Sequence, residues 1–295
     1  MPEVCTDEAA GKTVVITGAT SGIGYATARK FAAHGANLLC VNRNEEKSEA
    51  LRKEIEAEFS TTCEYMIGDM SSLKDVHRIG HELSQRKHPI DILIHNAGVY
   101  ITKREETSDG LEKVMVVNHL SSFVLTYLLM DKLKAQDRAR IILVNSEGHR
   151  FAAWGLHTDD LNWERRHYTG MRSYGAAKTA QLLSMLVFNE LFDGSGVTIN
   201  AMHPGAVKTH TGKENGRLYQ WYKRNFVEKN TRSPELSAEA LYYLGISEKI
   251  EGRGGKFFSF TTEEEPAPPA LDRETAQELW ELSLEMGGLS EHPIT

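Results

Sequence analysis

Lys12-Thr-Val-Val-Ile-Thr17-Gly18-Ala-Thr-Ser-Gly22-Ile-Gly24 is the stretch on which the fold turns. Its first six residues form a short apolar run rich in β-branched side chains, the pattern of a strand covered on both faces. Glycines follow at once with G-x-x-x-G-x-G spacing, and Tyr25 to His34 then carry alanines and Phe31 at helical spacing. Strand, glycine turn and helix together make a context in which main chain can approach a pyrophosphate and helix-start N–H groups can bind its charge. Gly18, Thr20, Ser21, Gly22, Ile23 and Gly24 are therefore candidate cofactor contacts. A merely tight connection would use the same glycines, so the rest of the chain must decide.

Outward from this segment, strand and helix patterns alternate from Lys12 to Leu191, with apolar runs near 13–17, 36–41, 63–67, 91–95, 140–145 and 197–203, and a seventh strand is expected at 256–260. Nearly continuous apolar strands joined by helices predict a single α/β domain, a doubly wound Rossmann-type parallel sheet with helices on both faces. Such sheets bind ligands beyond the carboxyl ends of their strands. The expected division of 1–295 is a nucleotide-binding and catalytic core (12–205), a substrate loop or lid (206–233) and a C-terminal extension (261–295). Within the extension, Glu263 to Pro269 reads as an exposed connection and Arg273 to Met286 as an amphipathic helix. There is no internal repeat.

Tyr174 and Lys178 lie four residues apart in Tyr174-Gly-Ala-Ala-Lys178, which puts a phenol and an amine on one helix face. A free phenol, with a pKa near ~10, carries protons poorly at neutral pH, and a neighbouring ammonium lowers that value. Alone, this spacing is common in surface pairs. Its company is His95-Asn96-Ala97-Gly98 after the fourth strand, Asn118 on a following helix, Ser146 at the end of the fifth strand, and Pro204-Gly205-Ala-Val207-Lys-Thr209 after the sixth.

In that order these segments resemble the short-chain dehydrogenase/reductase family over most of the chain. Asp159-Asp160-Leu161-Asn162, Gly255-Lys-Phe-Phe-Ser259 and Leu279-Trp280-Glu-Leu-Ser283 are similar to its retinol-dehydrogenase-like subgroup. The chain departs from the pattern at His95, at Asn145 and at the acidic Glu147, and it lacks the hydrophobic anchor that many members carry. The resemblance implies that Tyr174 exchanges the substrate proton and Ser146 binds the substrate oxygen. It further implies that Lys178 holds the nicotinamide ribose and that Asn118 anchors a proton-relay water. Asp69, Met70, Asn96, Ala97, Gly98, Pro204, Gly205, Val207 and Thr209, together with Tyr174 and Lys178, are implied cofactor contacts.

At the end of the second strand, where NAD-specific enzymes place a carboxylate, the chain has Val41-Asn42-Arg43-Asn44. The Arg43 guanidinium can pair with a 2′-phosphate and stack on adenine, so NADP(H) is the expected cofactor.

A net charge of -7 with no basic stripe gives nucleic-acid binding no support. No transmembrane segment is expected, because the most apolar stretch, Phe123 to Met130, is broken by Thr126 and Tyr127. Met1 to Gly11 is acidic and unlike a signal. Three cysteines without paired spacing suit a reducing, cytoplasmic setting. His77 and His81 lack a third ligand, so no metal site is expected.

Trp154 and the aromatic-rich Leu218, Trp221 and Tyr222 are the candidate substrate contacts beside Ser146 and Tyr174. The latter three share one helical side, which suits a lid or, equally, a surface helix docked on the core. They point to a bulky hydrophobic alcohol or carbonyl compound, with retinoid, steroid, fatty aldehyde and aromatic ketone all open. A catalytically weak nucleotide-binding sensor or scaffold is the alternative function. The apolar helices Leu111 to Leu133 and Ser173 to Phe192 suggest a homodimer or homotetramer interface.

Overall fold

Strand β1, Thr13–Thr17, has β-branched residues at every position and sits inside the sheet with strands on both sides. The computed structural model describes residues 9–152, 155–205 and 233–290. Beside β1 lie β2 (Asn37–Asn42) and β3 (Cys63–Ile67) on one side, and β4 (Ile92–His95), β5 (Ala139–Val144), β6 (Val197–His203) and β7 (Phe257–Ser259) on the other. With β8 (Thr262–Glu264) at the edge, the order is β3-β2-β1-β4-β5-β6-β7-β8, parallel throughout except the last pair. The chain reverses its direction of travel across the sheet between β1 and β4, which opens a crevice at their carboxyl ends.

Helices cover both faces. On one, α1 (Gly22–Ala32) and α7 (Pro234–Ile246) close a core that includes Ile16, Phe31, Ile92, Tyr242 and Phe258. On the other, α3 (Leu73–Gln85), α5 (Ser121–Lys134), α6 (Gly170–Leu191) and α8 (Arg273–Met286) enclose Val15, Leu93, Ile141, Phe123 and Trp280. The α2 helix (Glu45–Glu58) flanks β3 and begins at Asn44, whose side chain accepts from Lys47 N–H. A short α4 (Lys113–Met115) leads through a π-helical turn, Val116–Leu120, into α5. Glu112 starts that run by accepting from the N–H groups of Val114 and Met115.

Several expectations shift by a residue or two, and three change in kind. Residues Glu263 to Pro269 are not simply an exposed connection: an antiparallel strand β8, Thr262–Glu264, pairs with β7, and Ala267 is buried. Its residues are all exposed, so apolar alternation could not reveal it. The apolar circumference of α5 and α6 is filled within the chain, because Trp280 of α8 packs edge-on to Phe123 and Phe188, each with centroids 4.8 Å away. This removes the ground on which those helices suggested a subunit interface. Finally, the run Lys113–Lys134 is long and apolar enough by composition to span a bilayer, yet its most apolar stretch is 89% buried inside the protein. It is a core helix.

Candidate active site

The nucleotide end of the crevice is shaped by missing side chains. Gly18 and Gly22 take positive φ values of 74° and 57°. Gly24 lies beneath Gly18, where an added Cβ would stand 2.2 Å from the Gly18 carbonyl and 2.5 Å from Asn96 Nδ2. Helix α1 can therefore start directly against the turn. Thr17 and Asn96 lock the neighbouring loops together. The Thr17 hydroxyl accepts from the N–H groups of Asn96 and Ala97, each at 3.0 Å, while Asn96 Nδ2 donates to the carbonyls of Thr17 and Gly18.

At the end of β2, Asn42 Oδ1 accepts from Ala19 N–H at 2.7 Å. Its buried Nδ2 has no partner among the described residues. Arg43, Asn44 and Lys47 line the same end. Asp69 borders it too, with Oδ1 accepting from both the N–H and the hydroxyl of Ser71. An unmet donor, a glycine cradle and two cations with no carboxylate at position 42 fit a phosphorylated nucleotide. They would hold the adenosine side of a nicotinamide dinucleotide.

At the other end, side chains do the building. Asn118 in the π turn accepts from Val99 N–H at 3.0 Å and donates to the carbonyls of Val99 and Val114. Both amide hydrogens of its side chain are thus used in clamping the loop after β4. Asn145 Oδ1 accepts from Ser146 N–H at 2.8 Å, and its Nδ2 donates to Lys178 O and Gln181 Oε1. Gln181 in turn donates to the Ser122 hydroxyl. The departure at Asn145 is thus the hub of a buried network joining β5, α5 and α6.

Lys178 is buried, with Nζ donating to Val144 O at 2.8 Å and reaching Gln181 Oε1 at 3.4 Å. Desolvation lowers its pKa to about 7. Nζ stands 5.9 Å from the Tyr174 ring centroid. Burial raises the Tyr174 pKa; a hydrogen bond with Ser146 opposes the rise and Tyr100 adds to it. This differs from the downward shift that the lysine spacing implies, because the amine is turned to a main-chain carbonyl. Ser146 Oγ accepts from Gly148 N–H at 3.0 Å. Tyr100 meets Tyr174 edge-on at 5.6 Å.

One cleft of about 630 Å³ contains both ends. It is lined by Gly18, Thr20, Ser21, Gly22, Ile23, Arg43, Asp69, Met70, Asn96, Ala97, Gly98, Asn118, Ser146, Tyr174, Lys178, Pro204 and Gly205. Gly24 is not among the lining residues; it packs behind them. Val207, Thr209, Trp154, Leu218, Trp221 and Tyr222 lie outside the described residues, as does nearly all of the expected lid. Sequence reasoning missed Thr17, Lys47, Tyr100 and Gln181. Lys47 alone carried a signal, four residues beyond Arg43 in the first turn of α2. The departure at His95 has a local explanation: it is buried, its Nε2 2.9 Å from the Thr126 hydroxyl, with its pKa lowered to about 3 by burial. Outside the cleft, His77 Nε2 lies 2.7 Å from Gly287 O and fixes the end of α8.

Fold and cleft together define a doubly wound α/β protein with a nucleotide-shaped crevice at its switch point. Residues 12–155 match the short chain dehydrogenase family. Human retinol dehydrogenase 13 is 37% identical over 287 residues, 95% of this chain and 85% of that protein. Human retinol dehydrogenase 14 is 34% identical over 299 residues, 95% and 87% of the two chains. A Mycobacterium paratuberculosis crystal structure matches with a TM-score of 0.75 at 27% identity over 95% of each chain. An Escherichia coli short chain dehydrogenase complexed with NADPH shares the fold, with a TM-score of 0.69 at 21% identity over 87% and 99%. The chain belongs to the short-chain dehydrogenase/reductase family, in its retinol-dehydrogenase-like subgroup. Members of this family are oxidoreductases that use a nicotinamide cofactor on small-molecule alcohols and carbonyls.

Proposed function

We propose that the protein is an NADP(H)-dependent oxidoreductase that interconverts a hydrophobic alcohol and its aldehyde or ketone, with Tyr174 as acid/base. The observation that carries this reading is the convergence of Ser146, Tyr174 and Lys178 at one end of the cleft whose other end is the glycine cradle. The bound nicotinamide supplies a hydride to the carbonyl carbon in reduction and accepts it in oxidation. As negative charge develops on the substrate oxygen, Tyr174 Oη gives it the proton and later regains one. Ser146 Oγ accepts from Gly148, which leaves its O–H to donate to the substrate oxygen. Lys178 would hold the ribose, and its charged form there would favour the phenolate. With both amide hydrogens of Asn118 donated to Val99 and Val114, a relay water would be held by its oxygen atoms in the π turn.

Tyr100 beside Tyr174 supports an apolar substrate, and the relatives' names make retinol and retinaldehyde the first candidates. The expected lid at 206–233 and the Trp154 region belong to this proposal, and the free, buried thiols of Cys40 and Cys63 support its cytoplasmic placement. The sensor reading draws on one observation, the turning of Lys178 toward Val144 O. A panel of hydrophobic aldehydes and ketones, followed by NADPH absorbance, decides between them. Turnover is expected, with Tyr174→Phe reducing it by about 10² to 10⁴ while nucleotide binding persists. Tight NADPH binding without turnover on any member would replace the enzyme by the sensor, and a Tyr174→Phe variant at the wild-type rate would remove Tyr174 as the acid/base.

A further inference from the structure

The Ser146 loop is held from behind as well as from the cleft. His149, on the 3₁₀ turn Glu147–Ala152, is buried beneath it. Its Nδ1 lies 2.8 Å from the Ser146 carbonyl, and its Nε2 lies 3.0 Å from Ala267 N–H. A main-chain N–H can only donate, so Nε2 is the bare nitrogen and Nδ1 carries the proton given to Ser146 O. The Thr179 hydroxyl, one residue beyond Lys178, donates to His149 O at 3.1 Å, and Phe257 closes the ring edge-on at 5.0 Å. A second tie runs outside the first: Arg150 pairs with Glu147 and donates to Glu265 O at 3.3 Å.

We propose that His149 is a positioning residue that couples the C-terminal segment around Ala267 to the direction in which the Ser146 hydroxyl points. This rests on the reading of Ser146 as the group that binds the substrate oxygen. A 3₁₀ turn has strained hydrogen-bond geometry and holds its shape poorly alone. With the Ser146 N–H taken by Asn145, its carbonyl by His149 and its Oγ by Gly148, the hydroxyl hydrogen is left to face Tyr174 and the cleft. A neutral imidazole does this work because it donates on one side and accepts on the other across its ring. The segment that follows β8 thereby becomes part of the catalytic scaffold.

The test removes each half of the tie in the full-length protein. Ala267 has φ -60° and ψ 145°, which proline adopts, so Ala267→Pro keeps the local backbone while replacing the N–H donor by a ring Cδ that pushes against His149 Nε2 and breaks the tie from the C-terminal side. In His149→Asn the amide nitrogen takes the place of Nδ1, keeping the Ser146 bond while losing Ala267. Each variant should lower kcat about tenfold, less than the about hundredfold that a 1 Å misplacement costs, with the Kd for NADPH within about twofold. The double variant should be no slower than either single one, because both break the same link. Amide exchange over 146–152 should quicken in both, whatever the activity. An additive double variant, an unchanged kcat, or a Kd that weakens in step with kcat would overturn the proposal. If the wild type turned over nothing, the reading of Ser146 would fall first, and unchanged exchange in Ala267→Pro would still overturn the coupling.

Discussion

At the β1–β2 rim of the cleft the walls are main chain, whereas at the β5–β6 rim they are polar side chains held by hydrogen bonds to other elements. The first is shaped by atoms that are absent at Gly18, Gly22 and Gly24 and needs only Thr17, Asn42 and Asn96 to pin it. The second depends on Asn145, Gln181, Ser122 and His149, each satisfied by a partner from a different element. A cradle made of backbone fails when an atom is added. A network of polar side chains fails when one is taken away, and it can hold a proton carrier at an unusual pKa.

The sharpest way to break this comparison is to add one methyl group on each side. In Gly24→Ala the new Cβ would meet backbone at 2.2 Å, so the turn itself must move. NADPH affinity should fall more than about hundredfold, and the fold should lose about 1 to 3 kcal/mol from overpacking. In Gly148→Ala the new Cβ would meet the Tyr174 ring at 2.7 Å. There kcat should fall by about hundredfold while NADPH affinity stays near wild type. Titration calorimetry beside steady-state kinetics separates the two. If both variants lost affinity and turnover together, the rims would not be independent.

The same contrast explains what could be read from the sequence. Glycine spacing, the strand before it and the Tyr174/Lys178 pair are local patterns, and they placed the sheet and most of the cleft. Gln181 and His149 gave no local signal, because their partners lie in β5, α5 and the segment after β8. The upward shift of Tyr174 was equally hidden, since it follows from burial and from Lys178 facing Val144. Helix α7 went unseen although it is mostly buried: a helix apolar on nearly all sides shows little amphipathic period.

A smaller effect sharpens the nucleotide rim. Arg43→Ala should weaken NADPH about tenfold to hundredfold, the ~1.5 to 3 kcal/mol of a charge-assisted pair, and leave NADH nearly unchanged. Lys47→Ala, which removes the other cation lining that end, should show the same selectivity in weaker form. Equal losses for NADH and NADPH would mean that neither residue reads the 2′-phosphate.

The smallest expected effect concerns stability and has opposite sign on the two sides. Burial holds the Lys178 pKa near about 7 in the folded protein, below the ~10.4 of an unfolded chain. Between those values the unfolded chain binds the proton that the folded one releases, so wild-type stability should rise with pH from about 7 to about 10. At pH 6 the buried ammonium is charged and its desolvation counts in full. Lys178→Met should therefore stabilise the nucleotide-free protein there by roughly 1 kcal/mol net, after subtracting the hydrogen bond that Val144 O loses. The gain should vanish near pH 10, where the folded amine is neutral, its charged form is no longer buried, and only the lost bond remains. Denaturant titrations at pH 6, 8 and 10 read this directly. A Lys178→Met protein less stable than wild type at pH 6 would mean that the amine is stabilised where it sits, and that the catalytic rim is not held at a cost to the fold.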